Sequence, residues 1–421
     1  MKLRTHWLAY TIVAVLVAGI VGVWTVQKGV SAQAGGESAS LRTVLEVISL
    51  IKTQYVDDVD AVSLIGGYID KGTINGMLEE AIDDPYTRYM DVRSYEQMQI
   101  DTQGEYGGIG IMVGLKDERL TIIAPFENTP GHTAGLRSGD RIVSIDGKST
   151  ELMSLDEAVG LMRGPEGKAL TIGIQRGDRE PSEVEIVRAV IQVPSVSKTE
   201  FFEPRRFRDQ ENALGYIRLQ RFSERTDIEL KGALQQLSEK RADGIILDLR
   251  DNPGGSLTAA IDVANTFLSD GPIMHMVGRD QAKRTIYASP FGTYPETPMV
   301  VLVNGYSASA SEIVAGALQD RGRAQLVGTK TFGKGLVQSV VPLRDGSALS
   351  FTSARYQTAG GHYIHEVGIE PDVVVEPPTP EEDDETEIAA PVEVPFEEDL
   401  QLMRAVDVLD GLIRQQARRV G

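Results

Sequence analysis

Val301-Leu302-Val303-Asn304-Gly305-Tyr306-Ser307-Ala308-Ser309-Ala310-Ser311-Glu312-Ile313 is the stretch on which the fold of this chain turns. The apolar run Met299 to Val303 is the pattern of a strand buried on both faces. Mostly small residues then turn the chain, and Ser309 to Leu318 reads as a helix. A serine at such a junction projects from a constrained turn, beside helix N–H groups that favour an anion. Taken alone, it is an ordinary helix cap.

The flanks repeat the alternation. Gly215 to Leu219 reads as a strand, Ile228 to Ser238 as a helix, and Gly244 to Leu249 as a strand that is apolar except for Asp248. Leu257 to Leu268 is a further helix. This order predicts an α/β core over residues 191–375. Upstream, residues 104–190 hold short alternating strands and one helix, started by the capping box Ser154…Glu157. That content predicts a small, partly open β-barrel. Residues 38–103 read as a helical N-terminal region, with Val44, Val47, Ile48 and Ile51 on one face and a break at Asp84-Pro85-Tyr86-Thr87. Residues 376–395 are rich in acid and proline and predict a linker. A C-terminal helix is expected over 396–419, with Leu402, Val406, Leu409 and Ile413 sharing a face. The fold class expected is therefore α/β and α+β multidomain.

The first 34 residues carry a different message. Lys2 and Arg4 precede an uncharged, largely apolar run from Trp7 to Val26, long enough to cross a bilayer. Ala32-Gln33-Ala34 has the small residues of a cleavage site. Residues 1–34 are read as a signal anchor or a signal peptide, and both place the rest of the chain outside the cytoplasm, in a periplasmic setting.

Composition closes off several chemistries. A net charge of −19 over 421 residues argues against a nucleic-acid binder. There is no cysteine, hence no disulfide, thiolate metal site or cysteine nucleophile. Five scattered histidines lack zinc-binding spacings, and no metal or other cofactor is expected.

Two further stretches bear on Ser309. Thr331-Phe332-Gly333-Lys334-Gly335-Leu336-Val337-Gln338 sets a lysine between glycines. A lysine shielded from water loses its proton more readily, and a neutral amine can deprotonate a serine hydroxyl. Asp248-Leu249-Arg250-Asp251-Asn252-Pro253-Gly254-Gly255 ends a strand in a turn whose amides can serve an oxyanion. The strand–turn–helix layout around Ser309 is that of a nucleophile elbow without the Gly-x-Ser-x-Gly spacing.

Together these segments resemble the carboxy-terminal processing proteases, also called tail-specific proteases. The resemblance spans about Leu41 to Val375. It rests on Asp84-Pro85-Tyr86-Thr87-Arg88-Tyr89-Met90, Gly107-Gly108-Ile109-Gly110, Asn252-Pro253-Gly254-Gly255, Ser307-Ala308-Ser309-Ala310-Ser311-Glu312, Lys330-Thr331-Phe332-Gly333-Lys334-Gly335 and Gly368-Ile369-Glu370-Pro371-Asp372. It implies a serine endopeptidase with Ser309 as nucleophile, Lys334 as general base and Gln338 orienting the lysine. The oxyanion would be bound by the amides of Ala310 and of Gly254 or Gly255. Residues 104–190 would be a PDZ domain. Its loop Gly107, Gly108, Ile109, Gly110 and Ile111 would take a substrate's terminal carboxylate, and Ile109, Ile111, Ala158 and Met162 would line the pocket for the last side chain. Arg163 matches the arginine that links peptide binding to activation in relatives. Tyr306 departs from the small residues usual in the turn, with the pocket shape as the property at stake.

The implied partners are proteins or peptides with accessible C-termini, an adaptor protein as in some relatives, the membrane through the N-terminal segment, and a second copy of the chain through the terminal helices. Two competing readings stand beside this one. A PDZ scaffold with a silent protease domain would have lost the Ser309, Lys334 and Gln338 set, which is intact. A histidine-dependent hydrolase would use His362 or His365 instead of Lys334.

Overall fold

The computed structural model describes residues 40–116, 119–177, 179–207, 210–291, 293–294, 297–377 and 395–420. The N-terminal segment 1–34 and most of the acidic linker lie outside the described residues. Among the described residues, no helix is long and apolar enough to cross a membrane.

Three short helices open the described chain: α1 (Leu41–Gln54), α2 (Ala61–Lys71) and α3 (Ile74–Ala81). Ser40, Asp60 and Thr73 cap them, each side chain accepting the amide three residues on. The expected apolar stripe does pack: Val44, Val47 and Ile51 are buried with Leu64, Met77 and Leu78. Their partners include Leu349 and Phe351, far along the chain. A short strand, β1 (Arg88–Met90), pairs antiparallel with Ala348–Ser350. Helix α4 (Val92–Gln103) follows and fully buries none of its residues.

The middle region hangs from a two-stranded stalk. Strand β2 (Glu105–Gly108) leads into β3 (Ile111–Lys116), β4 (Arg119–Pro125), α5 (Pro130–Thr133), β5 (Arg141–Ile145), β6 (Lys148–Ser149), α6 (Leu155–Met162), β7 (Ala169–Gln175) and β8 (Ser182–Val187). Strand β9 (Ala189–Gln192) returns antiparallel to β2. The sheet between them runs β3-β4-β5-β7-β8, with β6 beside β5, so β3 is an edge strand. Ser154 caps α6 by accepting the Glu157 amide at 3.2 Å, as its sequence requires. Ile109, Ile122, Ile145, Ala158, Met162 and Ile172 fill one small core.

The remainder is a three-layer α/β unit. Its elements are β10 (Val196–Phe202), β11 (Leu214–Leu219), α7 (Thr226–Glu239), β12 (Gly244–Asp248), α8 (Leu257–Phe267), β13 (Pro272–Gly278), β14 (Lys283–Tyr287), β15 (Met299–Val303), α9 (Ala310–Asp320), β16 (Gln325–Gly328), β17 (Leu336–Pro342), β18 (Ala348–Thr358), β19 (Val373–Val374) and α10 (Leu400–Val420). The main sheet runs β10-β11-β12-β15-β16-β19 and is parallel except at β10. Alternation splits each central strand between two cores. Met299, Val301 and Val303 face α7, α8 and α9, while Val300 and Leu302 face Leu402, Ala405, Val406 and Leu409 of α10. This explains why β15 reads as an unbroken apolar run. The α/β and α+β architecture expected from the sequence is the one observed.

A second sheet, β1-β18-β13-β14 with β17 beside β18, has no counterpart in the sequence reading. Its strand β17 lacks a clean alternation, being half-buried along most of its length. Helix α10 is tied to the end of β12 by a buried network. Arg250 forks between Asp248 at 2.7 Å and Asp399 at 2.8 Å, and Tyr216 donates to Asp248 at 2.8 Å.

Candidate active site

Ser309, Ala310, Lys334, Gln338, Gly254 and Gly255, scattered over 85 positions, line one cleft of about 1550 Å³. Ser309 caps α9 with φ +54° and ψ −109°. A residue with a side chain reaches that region only under strain, on the order of 1–3 kcal/mol. The conformation is held from outside. The Glu312 carboxylate, fully buried, accepts the Ser309 amide at 2.8 Å.

The same carboxylate holds the lysine segment. Glu312 accepts the Lys334 and Gly333 amides at 2.8 and 2.6 Å and the Thr331 hydroxyl at 2.6 Å. One side chain thus fastens the serine turn to the lysine turn through four donors. Its place three residues after Ser309 is the capping-box position, which the sequence displays. Its reach to residues 331–334 could not be read there.

The Lys334 amine lies 4.0 Å from the centre of the Tyr86 ring, and no hydrogen bond joins it to Ser309 Oγ. Burial lowers its pKa, the Arg88 cation lowers it further, and Asp84 and Glu312 oppose the shift. Tyr86 comes from the turn that interrupts the N-terminal helices. Asp84 organises that turn, accepting the Tyr86 amide at 2.9 Å and the hydroxyls of Thr87, Thr352 and Tyr55 at 2.7, 2.6 and 3.3 Å. Gln338 joins the same network, donating to Thr352 Oγ1 at 2.7 Å. Its carboxamide is therefore engaged with Thr352 while the lysine rests on Tyr86.

The two glycines differ. The Gly254 amide donates to Asn252 Oδ1 at 2.9 Å. The Gly255 amide has no such partner: the bridge between Gly255 and Phe222 uses Gly254 O and Ser256 N. Gly254, at φ +102°, packs against the serine turn so closely that a Cβ there would lie 2.9 Å from Ala310 N and 3.0 Å from Ser309 Cβ. Tyr306 is exposed and does not line the cleft, so the pocket shape does not depend on it.

In the middle region, Gly107 and Gly108 lie in the β2–β9 ladder, and Gly107 O accepts the Gly164 amide. Ile109 and Gly110 fall between β2 and β3, outside both ladders, with Gly110 at φ +70°. Ile109, Ala158 and Met162 are brought together in the core under α6 and β3, with half-buried Ile111 against them. Arg163 does not face this core. It donates to Gln97 Oε1 of α4 at 2.5 Å and lies over the Tyr106 ring. Arg188, which the sequence gave no reason to single out, closes the C-terminal end of α6 by donating to Leu161 O and Met162 O. His365 and His362 lie outside the cleft lining.

Comparison with known proteins agrees with this layout. The profile of peptidase family S41 matches residues 213–375, that of the PDZ domain residues 122–176, and that of the activating protease CtpB N-terminal domain residues 21–94. The chain is 41% identical over 342 residues to a carboxy-terminal-processing protease of Bartonella bacilliformis, covering 80% of this chain and 75% of that one. It is 35% identical to the carboxy-terminal processing protease CtpB of Bacillus subtilis, covering 83% and 70%. Among solved structures, a photosystem II D1 C-terminal processing protease matches with 29% identity and a TM-score of 0.50, covering 79% of this chain and 92% of that one.

Proposed function

The chain belongs to the carboxy-terminal processing proteases of peptidase family S41, serine peptidases that here carry a PDZ domain, and from that premise we propose that Ser309 and Lys334 form its catalytic dyad. The observation that carries the proposal is Glu312, whose buried carboxylate binds the amides of both residues and sets them in one cleft. Lys334, shielded and flanked by Arg88, supplies a neutral amine near physiological pH more readily than an exposed lysine does. That amine leaves the face of Tyr86, takes the proton from Ser309 Oγ as the oxygen attacks the peptide carbonyl, and returns it to the departing amine. Water then repeats the cycle on the acyl-enzyme. Such hydrogen bonds are commonly long before substrate arrives.

The tetrahedral oxyanion is assigned to the amides of Ala310 and Gly255. Ala310 supports this as the first residue of α9, whose amide is one of the helix's unpaired donors. Gly255 is preferred over Gly254 because the Gly254 amide is already committed to Asn252. Gln338 is assigned to the lysine once it leaves Thr352.

Substrates are selected by their C-terminal tails. The edge strand β3 is free to take an extended tail as an added strand, with the amides of Ile109 and Gly110 at the terminal carboxylate. The basic residues and apolar run at the N-terminus favour work outside the cytoplasm, at the membrane or beyond it. Purified Ser309→Ala and Lys334→Ala variants, assayed on an unfolded protein with a free C-terminus, test the dyad. Cleavage that survives Lys334→Ala would sink it. Cleavage absent even in the wild type would leave a silent scaffold.

A further inference from the structure

The stalk of the PDZ domain does not rest on an inert surface. Its base is Gly104 and Val193, joined by Val193 N–H donating to Gly104 O at 2.8 Å. Directly beneath lies a cluster of three fully buried hydroxyls, Ser195, Ser223 and Thr226. Thr226 Oγ1 accepts the Ser223 amide at 2.8 Å and donates to Ser195 Oγ at 2.7 Å, and the Ser195 and Ser223 hydroxyls meet at 2.8 Å. Gly104 presses on this cluster, since a Cβ there would lie 2.6 Å from Ser223 Oγ. Glu229 seals the other flank by accepting the amides of Ser195 and Val196 at 2.7 and 3.0 Å.

The same short segment touches the oxyanion turn. Phe222, next to Ser223, donates its amide to Gly254 O at 3.0 Å and accepts the Ser256 amide at 2.8 Å, bracketing Gly255. Phe222 is itself fully buried. Gln220 binds the returning chain twice, through its amide to Ser195 O and its side chain to Pro194 O. Residues 220–226 are therefore bonded on one side to Pro194 and Ser195 and, through Arg225, to Glu105 of β2 at 3.6 Å, and on the other to Gly254 and Ser256. Two residues, Ser223 and Phe222, separate the hydroxyl packed against Gly104 from the amide bonded to Gly254.

We propose that residues 220–226 transmit the position of the PDZ domain to the oxyanion turn, with Thr226 and Ser195 as positioning residues. This rests on the proposed tail-binding function and adds the route by which a bound tail reaches the chemistry. Tail binding shifts the stalk, the hydroxyl cluster carries the shift to Phe222, and Phe222 aims the Gly255 amide.

The test uses the full chain and a fluorophosphonate probe, whose reaction with Ser309 depends on the oxyanion site. A short peptide ending in valine is added as free acid or as amide, and its binding is followed by fluorescence anisotropy. In the wild type the free acid binds and speeds labelling about tenfold, within the usual range of coupling between sites. Thr226→Ser keeps that acceleration. Thr226→Val, which keeps shape and loses the hydroxyl, binds the peptide equally but labels at one rate with or without it. Ser195→Ala is measured in parallel, so that a folding defect in one variant does not decide the matter. Undiminished acceleration in both hydroxyl-deleted variants would overturn the proposal, as would a wild type that binds the peptide without acceleration. Flat anisotropy in the wild type would sink the tail-binding function and the proposal together, and is distinguished by that readout.

Discussion

The turn at Ser309 and the turn at Gly110 meet one backbone requirement in two ways. Both sit at positive φ, +54° and +70°, and both present amides assigned to a carboxyl-derived oxygen. At Gly110 only the backbone is needed, and glycine reaches that region without strain. Two neighbours secure it: Phe126 N–H and Thr129 Oγ1 both donate to Gly110 O at 2.9 Å. At Ser309 the proposed nucleophile needs a hydroxyl, and a buried carboxylate holds the strained turn in place. The proposed recognition turn thus rests on an unstrained glycine, and the proposed nucleophile on a conformation enforced from outside.

This contrast can be broken most sharply at its centre. Ser309→Gly relieves the strain and removes the proposed nucleophile; hydrolysis should fall by at least about 10⁴-fold, while the melting temperature rises by a few degrees. A variant that melts lower than the wild type would show that the turn is not strained. Next in size is Glu312→Gln. An amide offers one acceptor oxygen where two served four donors, and each buried donor left unpaired costs about 1–3 kcal/mol. We expect a loss of kcat on the order of a hundredfold with KM nearly unchanged, together with a lower melting temperature.

Gly110→Ala addresses the other turn. Its Cβ would sit 2.3 Å from Thr129 Cβ, at a φ that alanine disfavours. Tail-peptide affinity should drop about tenfold or more, measured by anisotropy, with the basal rate of Ser309 labelling unaltered. The smallest effect is electrostatic. Arg88 lowers the Lys334 pKa. Removing that cation in Arg88→Gln makes the ammonium more comfortable and raises the pKa. The acidic limb of the kcat/KM profile should move to higher pH, because less of the lysine is neutral at a given pH. A shift to lower pH would contradict the assigned role of Lys334 as base.

How far these turns were legible differs for the same reason. The serine turn lies in one contiguous stretch, so Val301 to Ile313 displayed strand, turn and helix directly. The lysine and glycine segments carried recognisable residue patterns. What the sequence withheld were bonds between distant segments. Glu312 stands at the capping-box position after Ser309, and nothing in its neighbourhood announces Gly333 and Lys334. Tyr86 reads as part of a helix break, and its seat over Lys334 depends on Asp84 meeting Thr352, 268 positions later. The second sheet escaped because β17 is half-buried on both faces and lacks a period of two. Gly107 and Gly108 were expected at the carboxylate, and their pairing with β9 is also a long-range fact.

The bond between Asp84 and Thr352 has a consequence for how the molecule comes into being. Contacts of such long sequence separation close late, since loop entropy must be overcome before they contribute. A growing chain that has already produced Ser309 still lacks residues 334–352, and so cannot seat Tyr86 over its lysine. The resting arrangement of the cleft, with the lysine on Tyr86, is completed only when these two distant segments have met.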